Sequence, residues 1–117
     1  MTVVASDQTF TSEVLDAHTP VLVHFWAPWC GLCRMIDPIF ARLKLDFGED
    51  IKVVRINADE NLRLANTYRL TSLPTILLFQ NGNALQRLDE FRSGDDLRRA
   101  LGDLQIILHQ HVHSVTV

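Results

Sequence analysis

Apolar residues fall into two rhythms along this chain, and the alternation between them lays out the fold. Nearly continuous apolar runs at 21–27, 51–56 and 75–79 are rich in Val, Ile, Leu, Phe and Trp. Runs of that length bounded by turn residues predict buried strands. Elsewhere the apolar residues recur at helical spacing: Phe10, Val14 and Leu15; then Met35, Ile36, Ile39, Phe40 and Leu43; then Leu62, Leu64, Ala65 and Tyr68. Leu97, Leu101, Leu104 and Leu108 give a last helix one apolar stripe. The polar punctuation agrees. Ser6 or Asp7 can cap the first helix, Asn61 the third, and Ser93 with Asp96 forms a capping box for the fourth. His18-Thr19-Pro20 and Gly48-Glu49-Asp50 interrupt the chain before strands. Pro38 predicts a kink rather than a stop, because apolar spacing continues to Leu45. Asn81-Gly82 is the strongest hairpin signal, with its partner strand within 84–91, and 2–5 reads as a short edge strand.

The resulting order, β-α-β-α-β-α-β-β-α, holds two crossovers followed by a hairpin. It predicts an α/β fold with a central sheet between helical layers, which explains why its inner strands are nearly all apolar. At 117 residues the chain is one domain, here 1–108, followed by a tail at 109–117 that lacks helical periodicity. A 47% apolar content supports a real core, and folding hides roughly two-thirds of the surface of a chain this long. Net charge of −3 argues against nucleic acid as a partner. No apolar run nears the roughly 18 residues of a membrane span, so no membrane partner is expected. The opening MTVVASDQTF lacks a basic region followed by an apolar one, so the expected compartment is the cytoplasm.

The two cysteines carry the chemistry. Cys30 and Cys33 follow the first buried strand, after Pro28, at the junction with the second helix. Unpaired N–H groups and the positive end of the helix dipole favour a thiolate at Cys30. Cys33, one turn on, can reach back and close a disulfide. Two cysteines at this spacing in an unexported chain point to redox exchange or to metal binding.

With Trp29-Cys30-Gly31-Leu32-Cys33, Pro38, Leu73-Pro74-Thr75 and the Asn81-Gly82 hairpin at matching separations, the chain resembles the thioredoxin family over roughly residues 2–108. The resemblance implies the thioredoxin fold, a mixed sheet with helices on both faces. It also implies a dithiol–disulfide oxidoreductase that reduces protein disulfides, is re-reduced by a thioredoxin reductase, and acts as a monomer. No organic cofactor or metal is implied, and nothing resembles a Gly-rich nucleotide fingerprint. Cys30 takes the role of nucleophile, and the less exposed Cys33 that of resolving thiol. Trp29 shields one side of the sulfur, and Gly31 admits the substrate backbone. Pro74 is cis and faces the cysteines, with Leu73 offering backbone groups to an extended substrate.

Three positions depart from the family pattern. His24 stands where the family usually has a buried aspartate beneath the second cysteine, and it becomes the candidate proton relay for Cys33. Leu32 replaces proline, restoring an N–H that can point at the Cys30 sulfur. Glu90 falls where a glycine usually lies beside the cis-proline, with a hairpin bulge able to shift that assignment by one. Three rival readings follow. One is an isomerase or oxidant with an altered potential. Another is a binding module or holdase using the Trp29, Pro74 and Glu90 surface. The third is a metal site joining Cys30 and Cys33 to His109, His111 and His113, histidines that otherwise form a solvated tail or extra edge strand.

Overall fold

The sheet is built on Val21–Trp26, a strand with five of its six residues buried. In the computed structural model the described residues are 2–113. Val21–Trp26 (β2) pairs in parallel with Lys52–Asn57 (β3), which pairs in parallel with Val3–Val4 (β1) at one edge. On its other side β2 runs antiparallel to Thr75–Gln80 (β4), and Asn83–Leu88 (β5) closes the hairpin. The order β1-β3-β2-β4-β5 is a mixed five-stranded sheet.

Helices cover both faces. Cys33–Phe47 (α1) and Gly94–His113 (α3) pack on one, where Ile36, Phe40, Leu43, Leu97, Leu101, Leu104 and Leu108 meet Leu22, Val53, Ile76 and Leu78. A short turn at Thr11–Leu15 and the helix Leu62–Thr67 (α2) cover the other, with Phe10, Val14 and Leu64 against Val23, Phe25, Ile56 and Phe79. The fold is the central sheet between helical layers that the apolar rhythm predicts, and the sheet is mixed, as the resemblance implies.

Local chemistry differs in four places. The first helix is one wide turn, in which Asp16 N–H reaches back to Thr11 O at 2.9 Å. Asn61 does not cap α2 with its side chain; Asp7 does, from the far end of the chain, accepting the Leu64 N–H at 3.0 Å. Asn61 returns the contact by accepting the Asp7 N–H at 2.8 Å. At α3, Ser93 Oγ accepts the Asp96 N–H as expected, but the Asp96 carboxylate accepts from Arg92 rather than Ser93. Finally, α3 runs on to His113 instead of ending at Leu108, so 109–113 are helix and not a strand or tail, and 114–117 lie outside the described residues.

Candidate active site

Cys30 and Cys33 are joined in a disulfide at the head of α1. Three short-range bonds shape this turn: Cys30 N–H to Ala27 O, Arg34 N–H to Gly31 O, and Met35 N–H to Leu32 O. The Cys33 N–H points at Cys30 Sγ, at 3.2 Å. That bond is the donor a Cys30 thiolate needs, since an N–H to a charged acceptor stabilises the anion. In the disulfide the N–H of Leu32 makes none of the bonds of this turn. The two disulfide-bonded residues do not differ in burial: Cys30 is 5% exposed and Cys33 is 4%. The distinction between them therefore rests on the N–H, not on exposure.

One rim is apolar. Trp29 is exposed, and its Nε1–H is held by Asp59 at 2.9 Å. Trp29 lines a shallow cleft of about 230 Å³ with Leu62, Leu70, Ser72 and Leu73. The Leu73–Pro74 peptide is cis, as the resemblance implies. A Cβ built on Gly31 meets nothing within 4 Å, so bare backbone there faces outward. Glu90 has φ +57°, a conformation that favours glycine, and its N–H donates to Ser72 Oγ at 3.1 Å. The bulge does occur: Phe79 pairs with Ala84 and Leu78 with Gln86, leaving Leu85 extra. Glu90 thus sits beside the Ser72–Leu73 loop, in the backbone state expected of the glycine it replaces.

The other side is charged. His24 is fully buried on β2, in register with Arg55 on β3 and Ile76 on β4. Among the described residues neither ring nitrogen has a hydrogen-bond partner. Burial first, and the Arg55 guanidinium second, lower its pKa from 6.5 to about 3, so the imidazole is neutral at pH 7. The 3.6 Å contact between its Nδ1 and Asp37 Oδ1 is therefore not an ion pair at that pH. Asp37 does pair with Arg55, at 3.3 Å, and the guanidinium stacks on Trp26 with its carbon 4.3 Å from the ring centre. Asp37 and Arg55 line a cleft of about 310 Å³ with Trp26, Cys30, Cys33 and Arg34.

Three residues of this site escape pattern reading: Asp59, Asp37 and Arg55. Asp37 could have been found as the residue four beyond Cys33, on the same helix face. Arg55 shows as a charge inside an apolar strand. Asp59 carries no local signal. His109, by contrast, is not brought to the cysteines. His109 stacks near Phe47, ring centres 4.9 Å apart, at the opposite end of α1 from Cys33. A helix of that length separates its ends by about 20 Å, so His109 and the cysteines cannot ligate one ion.

Comparison with known proteins agrees with this geometry. The family model described as Thioredoxin matches residues 1–103. The chain is 45% identical over 84 residues to Thioredoxin 1 of Synechococcus elongatus, covering 72% of this chain and 76% of that one. It is 48% identical over 77 residues to Thioredoxin 1 of a Nostoc species, covering 66% and 72%. Thioredoxin of Rickettsia bellii is 44% identical over 77 residues, covering 66% and 73%. With its disulfide at the head of α1 and a cis-proline before β4, the chain belongs to the thioredoxin family, and Cys30–Cys33 is the redox-active pair of a dithiol–disulfide oxidoreductase.

Proposed function

We propose that this chain reduces disulfides of protein substrates and is re-reduced by a thioredoxin reductase. The observation that carries the reading is the Cys33 N–H at 3.2 Å from Cys30 Sγ, which supports a thiolate at Cys30 once the pair is reduced. The Cys30 thiolate attacks one sulfur of the substrate disulfide. A Cys30–substrate bond forms, the substrate disulfide breaks, and the first substrate thiolate leaves. Cys33, as thiolate, then attacks Cys30 Sγ, closes the internal disulfide and expels the second substrate thiolate. Two electrons pass to the substrate, whose thiolates take protons from water. A reductase returns the two electrons to the Cys30–Cys33 disulfide.

Substrate lies across the apolar rim in this reading. Trp29, fixed by Asp59, and Leu73 flank an extended segment whose backbone approaches over Gly31 and beside Pro74. Leu32 packs partly buried against the core on the α1 side, and Glu90 places a negative charge beside the Ser72–Leu73 loop. The protein works as a monomer in the cytoplasm, where the pair is kept available for exchange.

Trapping tests the reading. Reduced Cys33→Ser should capture a protein disulfide as a stable adduct through Cys30, and Cys30→Ser should capture none. The parent should turn over insulin with a thioredoxin reductase. Capture through Cys33 would reverse the roles. A double serine variant that keeps full activity against aggregation, in a parent without turnover, would establish a holdase instead.

A further inference from the structure

Resolution requires Cys33 as a thiolate, and the residues around it constrain how that anion is supported. His24 is a poor proton acceptor. With its pKa lowered to about 3, about one molecule in ten thousand holds the imidazolium at pH 7. Among the described residues its ring nitrogens have no hydrogen-bond partner. The cleft lined by both cysteines instead presents a permanent cation. That cation is the Arg55 guanidinium. It is fixed from two sides, by Asp37 at 3.3 Å from its Nε and by the Trp26 face at 4.3 Å. The charged groups facing Cys33 across this cleft are Arg34 and Asp37 on α1 and Arg55 on β3, with neutral His24 below on β2. Two cations and one anion leave the cleft net positive, the field that favours a thiolate.

We propose that Arg55 supports the Cys33 thiolate by charge, in place of a proton-accepting base. The inference rests on the disulfide-reductase reading above. The Cys33 thiol gives its proton to solvent in the cleft. The thiolate then attacks Cys30 Sγ, the Cys33–Cys30 bond forms, the Cys30–substrate bond breaks, and its electron pair leaves with the substrate sulfur. Asp37 holds the guanidinium in place and at the same time tempers its field. Arg55 and Asp37 therefore act on Cys33 with opposite signs.

Those signs make the test. In a Cys30→Ala background, where Cys33 alone titrates, ultraviolet thiolate absorbance follows its ionisation. Arg55→Gln should raise the Cys33 pKa, leaving about tenfold less thiolate at pH 7. Arg55→Lys should stay near the parent, and Asp37→Asn should lower the pKa. In the two-cysteine protein, Arg55→Gln should resolve a mixed disulfide about tenfold slower at pH 7 and converge on the parent rate once pH exceeds both thiol pKa values. Asp37→Asn should resolve at least as fast as the parent. An unmoved Cys33 titration in Arg55→Gln overturns the proposal, as does a slowing that is equal at every pH or an Asp37→Asn that is slow. If Arg55→Gln does not fold, the sign of the Asp37→Asn titration decides: a raised or unmoved Cys33 pKa in that variant overturns the proposal. A parent that forms no mixed disulfide defeats the reductase reading, while the titrations still decide the role of Arg55.

Discussion

His24 stands in β2 with no exposed surface and, among the described residues, no hydrogen-bond partner at either ring nitrogen. A buried imidazole of this kind makes stability depend on pH within a window. Its pKa is about 3 in the folded chain and about 6.5 in an unfolded one. Between those values the unfolded chain binds a proton that the folded chain refuses, so stability falls as pH falls. The contribution is complete above about 6.5 and lost on the way down to 3, on the order of 5 kcal/mol in all. His24→Leu removes the titration and the two unpaired polar atoms together. At pH 7 the variant should be at least as stable as the parent, by up to about 2 kcal/mol, because an unsatisfied buried group is costly. Urea unfolding followed from pH 7 to pH 4 checks this: the parent should weaken steeply and His24→Leu much less. Parallel curves would show that His24 does not govern the acid limb. The histidine was legible as a departure at a buried strand position. Its surroundings were not, because Arg55 and Asp37 reach it only through strand register and the crossing of α1.

The elements themselves follow from local chemistry where their signals are local. Asn81 and Gly82, with φ of +52° and +81°, turn the hairpin as that dipeptide demands. Ser93 caps α3 because the acceptor and its N–H lie three residues apart. The cap of α2 shows where such reading ends. Asn61 stands at the N-cap position, yet its side chain bonds Asn57 O and the Asp7 N–H, while Asp7 accepts from Leu64. The two residues are 54 apart in sequence, so no window of the chain reveals the exchange. A functional consequence follows, since α2 leads through Leu70 into the Ser72–Leu73 rim. Asp7→Ala should cost about 1 kcal/mol, the usual worth of a helix cap. Hydrogen exchange should quicken first at the Leu64 amide. A variant as stable as the parent, with that amide still protected, would mean that solvent satisfies the N–H just as well.

At the scale of the molecule, the order of strands and the two helical layers were legible because apolar rhythm is a property of each segment alone. The extent of the last helix was not. Its leucine stripe stops at Leu108, and the polar run from His109 gives no apolar repeat, but backbone bonding carries α3 to His113. The extra turn is packed rather than free: Val112 lies partly buried against the core, and His109 approaches Phe47 at the end of α1. The helices α1 and α3 thus stay together from Met35 against Gly94 to Phe47 against His109. A chain ending at Leu108 loses both distal contacts. A half-buried valine is worth about 1 kcal/mol and an aromatic contact about as much again, so 1–108 should be less stable than 1–113 by about 2 kcal/mol. Thiol exchange should be unchanged, because the lost turn lies about 20 Å along α1 from Cys33. Urea midpoints and insulin reduction, measured on both chains, separate the two effects. Equal midpoints would put the domain boundary at 108 after all. A slower exchange in the shorter chain would mean that the far end of α1 is coupled to the disulfide at its head.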